Sequence, residues 1–162
     1  MSFKLSHGSL LLGTGIDMVA NKRFTYFLEE NHPVRLRKIF TEKELALYES
    51  LFNPQHAHES PIPYRQKLSY IASRFAAKEA FYKALSSTLV RLGKTNVPFS
   101  FLFTCQHISI VKQTWGLPSI EVDWHAFENK IGTTLPFLTS HLSLSHEQEY
   151  AIASVCLTKE PE

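Results

Sequence analysis

Residues 74–85 read RFAAKEAFYKAL. The run sets Arg74, Lys78, Glu79 and Lys83 among apolar and small residues. On a helix, Leu68, Ala72, Phe75 and Glu79 fall on neighbouring rows, and Lys83 lies one turn beyond Glu79. Arg74, Lys78 and Tyr82 run along an adjacent row. Glu79 therefore sits near the apolar stripe instead of opposite it. Two kinds of chemistry fit. In the plainer one, Glu79 and Lys83 form an i,i+4 ion pair on a solvated face, worth roughly 0.3–0.5 kcal/mol. In the other, Glu79 is a metal ligand and the nearby cations hold phosphate, because a semi-buried carboxylate is costly unless paired or metal-bound. Spacing does not separate them; a second carboxylate from elsewhere in the chain would. Asp17 is the candidate, although an acid at a strand end is ordinarily a turn or cap residue.

These residues need elements to hold them. Leu10-Leu11-Leu12 followed by GTGIDMV predicts a buried strand ending near Asp17. Gly13 and Gly15 would admit another backbone at close range. A short helix is expected over residues 21–31, started by Asn21, and a second over 34–40 after Pro33. Thr41 and Glu44 have the spacing of a capping box, so a helix should start there and run to about Phe52. The proline-rich stretch 53–64 predicts a loop. The long helix follows, at about 66–86, with Ala76, Ala77, Ala80 and Ala84 allowing close packing. Residues 87–104 mix Ser, Gly, Pro and aromatics and read mainly as an insertion. Strands are expected at 107–113 and 118–124, joined by a turn at TWG. One or two helical turns are expected from His125 to Ile131, and a terminal hairpin from 141–146 and 150–157. Helices come first and antiparallel strands cluster late, which favours an α+β fold.

The bulk properties narrow the function classes. The 162 residues suit one domain, 1–162, and 44% hydrophobic with 20% charged residues is ordinary for a globular chain. A net charge of +2 is too weakly basic to argue for a nucleic-acid binder. No apolar run approaches the ~18 residues of a membrane span. Cys105 and Cys156 form no CxxC pair and read as buried or idle thiols in a reducing compartment. The N-terminal segment MSFKLSHGSLLL lacks the features of a secretory signal; with Lys4, three serines and no acid before Asp17 it faintly resembles an organelle transit segment. GTG is not a dinucleotide fingerprint, because no third glycine follows at the proper spacing. His56, His58 and Glu59 could chelate zinc, but they sit in a proline-rich loop with no cysteine nearby.

Four blocks in order, GTGIDMVANKRF, FTEKELALYES, RFAAKEAFYKAL and LSLSHEQEYAIASV, resemble the holo-acyl-carrier-protein synthase family, the small phosphopantetheinyl transferases. They run from residue 13 to about 155. The resemblance implies a 4′-phosphopantetheinyl transferase-like fold, an antiparallel sheet packed against a long helix. It also implies Mg²⁺-dependent transfer of the 4′-phosphopantetheine arm of coenzyme A to a serine of apo acyl carrier protein, with 3′,5′-ADP as the other product. Matched block by block, Asp17 and Glu79 would bind Mg²⁺, a hard cation that takes one or two carboxylates with waters and phosphate oxygens. Lys83 would contact phosphate, and Lys78 would contact phosphate or handle a proton. Arg74 would contact phosphate or make a structural salt bridge, and His146 would lie near the coenzyme A phosphates or base. Either a metal-bound water or a carboxylate acting through it would take the serine proton. The carrier should be acidic, which gives Lys22, Arg23, Arg35, Arg37 and Lys38 a steering role. A homotrimer with active sites at subunit interfaces is also implied.

Three departures stand out. Ser86-Ser87 replaces the glycine usual after KAL, and Leu117 replaces lysine in a Gly-Lys-Pro-like turn. The loops near 53–66 and 87–104 look longer than in compact bacterial members. That expansion suggests a eukaryotic, fungal mitochondrial-type member, in the mitochondrial matrix or alternatively the cytoplasm. The rival reading is a degenerate member that binds coenzyme A or carrier protein without transfer.

Overall fold

Strand β1 spans Leu10–Ala20, so Asp17 lies inside it, with Met18, Val19 and Ala20 still paired beyond it to the last strand, β5 (Tyr150–Lys159). The computed structural model describes residues 8–29, 33–52 and 64–160. The expectation that the strand stops near Asp17 is corrected by that pairing. Period-2 alternation puts Asp17 on the same face as Gly13 and Gly15.

After β1 come a short 3₁₀ turn at Asn21–Phe24, then α1 (Thr25–Glu29), α2 (Pro33–Ile39) and α3 (Glu42–Phe52). The amide of Asn21 donates to the carbonyls of Glu147 and Gln148, which ties the end of β1 to the turn that precedes β5. The capping box forms: Thr41 N–H donates to Glu44 Oε2 at 2.9 Å, and Thr41 Oγ1 accepts from Glu44 N at 3.4 Å. Helix α4 covers Tyr64–Arg91, longer at both ends than expected. The two serines do not interrupt it, because Ser86 Oγ and Thr88 Oγ1 turn back onto the carbonyls of Tyr82 and Ala84. It stops at Gly93, whose φ of 82° lets Lys94 N–H reach Leu89 O and Gly93 N–H reach Val90 O. Residues 87–91 are therefore helical, and 101–104 open α5 (Phe101–His107). Then follow β2 (Ile108–Lys112), β3 (Pro118–Val122), α6 (Trp124–Ile131), β4 (Leu138–His146) and β5 (Tyr150–Lys159).

The fold is α+β. Strands β1, β5 and β4 form an antiparallel sheet in that order, with a separate antiparallel β2–β3 hairpin. Helix α4 lies across the sheet, and Ala72, Ala76, Ala77, Ala80 and Ala84 are fully buried along it. At Gly13 a Cβ would collide with Ala84 O and Thr88 Oγ1; at Gly15 it would collide with Ala80 O. Strand and helix thus meet backbone to backbone, as those glycines allow. Val19, Val155, Leu157, Phe81, Leu85 and Leu89 fill the layer between them. The opposite face of the sheet carries Ile16 and Met18, 61% and 62% exposed. The loop expected at 53–64 and the His56/His58/Glu59 group lie outside the described residues, apart from Tyr64, which starts α4.

Candidate active site

Asp17 and Glu79, far apart in the chain, converge on one ammonium. Lys83 Nζ donates to Asp17 Oδ1 at 2.8 Å and lies 3.5 Å from Glu79 Oε1. It also donates to the carbonyl of Ile16 at 3.2 Å. The convergence follows from the glycine seam, which brings β1 onto the face of α4 that carries Glu79 and Lys83. The Asp17 side chain is 11% exposed, that of Glu79 32% and that of Lys83 44%, so the group opens to solvent on one side. The hydrogen bond that Lys83 donates to Asp17 holds the Lys83 pKa above the ordinary lysine value despite some desolvation. The i,i+4 pair read from spacing is present, joined by the second carboxylate.

A metal is compatible with this donor set. Two carboxylates and a backbone carbonyl at a half-open surface are hard oxygen donors. Among the described residues no group of three or more His, Cys, Asp or Glu side chains converges. Such a sparse set suits Mg²⁺, which keeps waters and substrate oxygens, better than a closed zinc site.

Lys78, beside Glu79 in sequence, points elsewhere. Its ammonium is fully buried, 2.7 Å from Glu44 Oε2, and donates to the carbonyls of Cys105 and Ile108 at 2.7 Å each. All three of its donors are used, which leaves none for a phosphate. The expectation of phosphate contact or proton handling is corrected accordingly: Lys78 ties α4 to α3 and to the α5–β2 junction. Burial pushes its pKa below the usual lysine value, and the Glu44 carboxylate opposes that shift. Glu44 also accepts from Ile110 N–H at 3.0 Å. Sequence reasoning saw Glu44 only as a cap; the buried ion pair carried no local signal. Burial of the neighbouring Cys105 thiol raises its pKa to about 12, in keeping with an idle cysteine.

Arg74 and His146 share a cavity of about 640 Å³. Its walls come from the end of α3, the first half of α4, β2, the turn before β3, and the end of β4. Arg65, Arg74 and Lys112 give it a cationic lining, with the His146 imidazole beside them and the single acid Glu147 opposing. Arg74 is buried, stacks 3.2 Å from the centroid of Tyr70 and donates to Tyr70 O at 3.3 Å. Among the described residues it forms no salt bridge, so the structural pairing considered from sequence is not what holds it. Among the described residues, Arg74 Nε and Ser69 Oγ are buried without partners, and both residues line the cavity. Buried polar groups ordinarily have partners, so this wall is set up for a polar ligand. Arg65, Ser69, Tyr70 and Lys112 were missed in the sequence; a polar row at 66, 69, 70 and 73 on the early turns of α4 was the available signal.

The acid group does not line this cavity. Glu79 lies five residues past Arg74 on α4, about 7.5 Å along the axis and roughly 140° around it. Within one chain, then, the sequence candidates fall into two places: Asp17, Glu79 and Lys83 at the seam, and Arg74 with His146 in the cavity. Lys22, Arg23, Arg35, Arg37 and Lys38 are exposed around the start of α4's neighbours. Arg23 sits over Phe75 and Arg35 over Tyr26.

Residues 13–155 match the family model described as the 4′-phosphopantetheinyl transferase superfamily. The chain is 32% identical over 150 residues to a holo-[acyl-carrier-protein] synthase of Halalkalibacterium halodurans, covering 93% of this chain and 98% of that one. It is 33% identical over 149 residues to a holo-[acyl-carrier-protein] synthase of Streptococcus pyogenes, covering 91% and 97%. Among solved structures it is similar to a holo-(acyl-carrier-protein) synthase of Bacillus anthracis in complex with CoA (3′,5′-ADP). That match has a TM-score of 0.62 and 24% identity, covering 94% of this chain and all of the other; it shows the shared fold.

Proposed function

The chain belongs to the 4′-phosphopantetheinyl transferase superfamily, and on that premise we propose how its side chains divide the work of a holo-[acyl-carrier-protein] synthase. The reaction is transfer of the 4′-phosphopantetheine group of coenzyme A to a serine of apo acyl carrier protein. The serine oxygen bonds to the phosphorus that carries the pantetheine arm. The bond from that phosphorus to the bridging oxygen breaks, 3′,5′-ADP leaves with the electron pair, and the serine proton passes to a water or to a carboxylate of the Asp17–Glu79 pair. The observation that carries the assignment of roles is the meeting of Asp17 and Glu79 at Lys83.

Asp17 and Glu79 would hold Mg²⁺, which when bound supplies positive charge to the diphosphate. Lys83 stands beside both carboxylates as a second cation, within reach of the same oxygens. Its charge favours a transition state in which negative charge spreads over phosphate oxygens. The cavity is the proposed seat of coenzyme A, with Arg74 and His146 on its phosphates. Arg74 Nε and Ser69 Oγ, without partners among the described residues, support that role. The test is the mass of apo carrier protein after incubation with enzyme, coenzyme A and Mg²⁺. A gain of one phosphopantetheine arm is expected, lost on adding EDTA and regained with excess Mg²⁺. Binding without a mass change would identify a degenerate member instead, and EDTA resistance would remove the metal from the proposal.

Because seam and cavity lie on different faces of α4, we further propose that the acids of one copy complete the cavity of its neighbour in a homotrimer. The apolar outer face of the sheet, with Ile16 and Met18 exposed, supports self-association. A cyclic arrangement repeats one contact between unlike faces. Mixing inactive Asp17→Asn subunits with inactive Arg74→Gln subunits through an unfolding–refolding cycle should then restore activity, to about a quarter of sites for random mixing in a ring. No recovery would mean that each chain carries its own complete site.

An acidic carrier protein fits the exposed Lys22, Arg23, Arg35, Arg37 and Lys38 patch. The eukaryotic, mitochondrial-type reading rests on the N-terminal segment and the long loops, while the relatives compared above are bacterial. Import of the full chain into isolated mitochondria tests it, and exclusion from them would leave the cytoplasm.

A further inference from the structure

Trp115 sits at the tip of the β2–β3 hairpin with 94% of its surface exposed. It is the one non-glycine residue with positive φ among those described, at 70°. For a residue with a Cβ this left-handed conformation is uphill, so the turn must impose it. The turn is well closed. Gln113 N–H donates to Leu117 O at 2.9 Å and Gly116 N–H to Gln113 O at 3.0 Å. Gln113 Nε2 donates to Ser119 Oγ at 3.0 Å. The turn thus fixes the backbone that carries an indole making almost no contact with the described residues.

The turn itself forms part of the rim of the cavity. Lys112, Gly116 and Pro118, on either side of Trp115, all line it. Inside, the cationic side chains call for a polyanion, and the polyanion of the proposed activity carries one flat aromatic group, the purine. An indole face in water is a sequence-tolerant stacking surface for such a base. We propose that Trp115 is a substrate-affinity residue that stacks on the adenine ring of coenzyme A while the cavity cations take its phosphates. This rests on the reading of the cavity as the coenzyme A site.

The test uses Trp115→Asn, since asparagine tolerates a left-handed backbone and lacks the ring, with Trp115→Phe as the conservative variant. In the asparagine variant KM for coenzyme A should rise roughly tenfold, the scale of base–aromatic stacking, with kcat and KM for the carrier protein unchanged. Phenylalanine should restore most of the affinity. Inhibition by 3′,5′-ADP, which has the base, should weaken by the same factor, and inhibition by 4′-phosphopantetheine, which lacks it, should not change. In a Trp124→Phe background, where Trp115 is the only tryptophan left, 3′,5′-ADP should quench the emission. An unchanged KM for coenzyme A in an active enzyme overturns the inference alone. So does a raised KM for the carrier protein only, which would place the indole against the protein substrate. A wild-type enzyme with no saturable use of coenzyme A overturns the cavity reading, and this inference with it.

Discussion

Asp17→Asn or Glu79→Gln is expected to slow transfer on the order of 10³-fold, the scale of losing charge stabilisation at a reacting phosphate. Each change keeps the shape of the side chain and removes its charge, so packing at the seam is preserved. Stability should move little, because the only ion-pair partner either acid has among the described residues is the partly exposed Lys83. Carrier mass against time measures the rate, and thermal melting checks the fold. The two losses should not add, since the two groups act on one charge centre. Raising the Mg²⁺ concentration should recover part of the rate of either single variant and little of the double variant. Normal turnover in both single variants would disprove the acid pair as the site.

The second large effect is on stability. Lys78→Met should cost about 3–5 kcal/mol, because it strands a buried carboxylate that has lost its counter-charge. The Glu44 and Lys78 side chains are 1% and 0% exposed, so water cannot take the missing partner's place. Glu44→Gln should cost less, since the amide oxygen can still accept from some of the Thr41 and Ile110 N–H groups. The double variant should fall short of the sum, with a coupling of about 0.5–3 kcal/mol in a double-mutant cycle. Urea unfolding reads all three. Against a typical total of about 5–15 kcal/mol, the loss in Lys78→Met is large. The folded fraction of that variant should keep its kcat, because the ammonium is committed to Glu44 and two carbonyls. A near-normal unfolding midpoint together with a collapsed kcat would return Lys78 to the reaction.

The two lysines show how far the sequence could be read. Lys83 lies one helical turn from Glu79, and local periodicity alone pairs them. Lys78 is adjacent to Glu79, yet its partner is Glu44 on another helix; no period of the chain encodes that distance. Asp17 was legible as a member of a block, while its place inside β1 was not, because the end of the strand is set by pairing with β5. The long helix is legible from its helical rows, but its end is not, since Ser86 and Ser87 look like a break until the Ser86 and Thr88 hydroxyls are seen to turn back on the helix. Gly93 was the stop signal, seven residues beyond the first of those serines. The cavity was hardest to foresee, because its polar side chains come from α4, β2 and β4 and meet only in the folded chain.

The glycine seam also limits how this protein can change. Where Gly13 and Gly15 meet Ala80 and Ala84, two hydrogen atoms stand where any other residue would carry carbon. Any methyl added there must push strand from helix, and the spacing between the two acids goes with it. A substitution at this narrow strip therefore weakens the core and misplaces the acids in one stroke, so stability and turnover fall together.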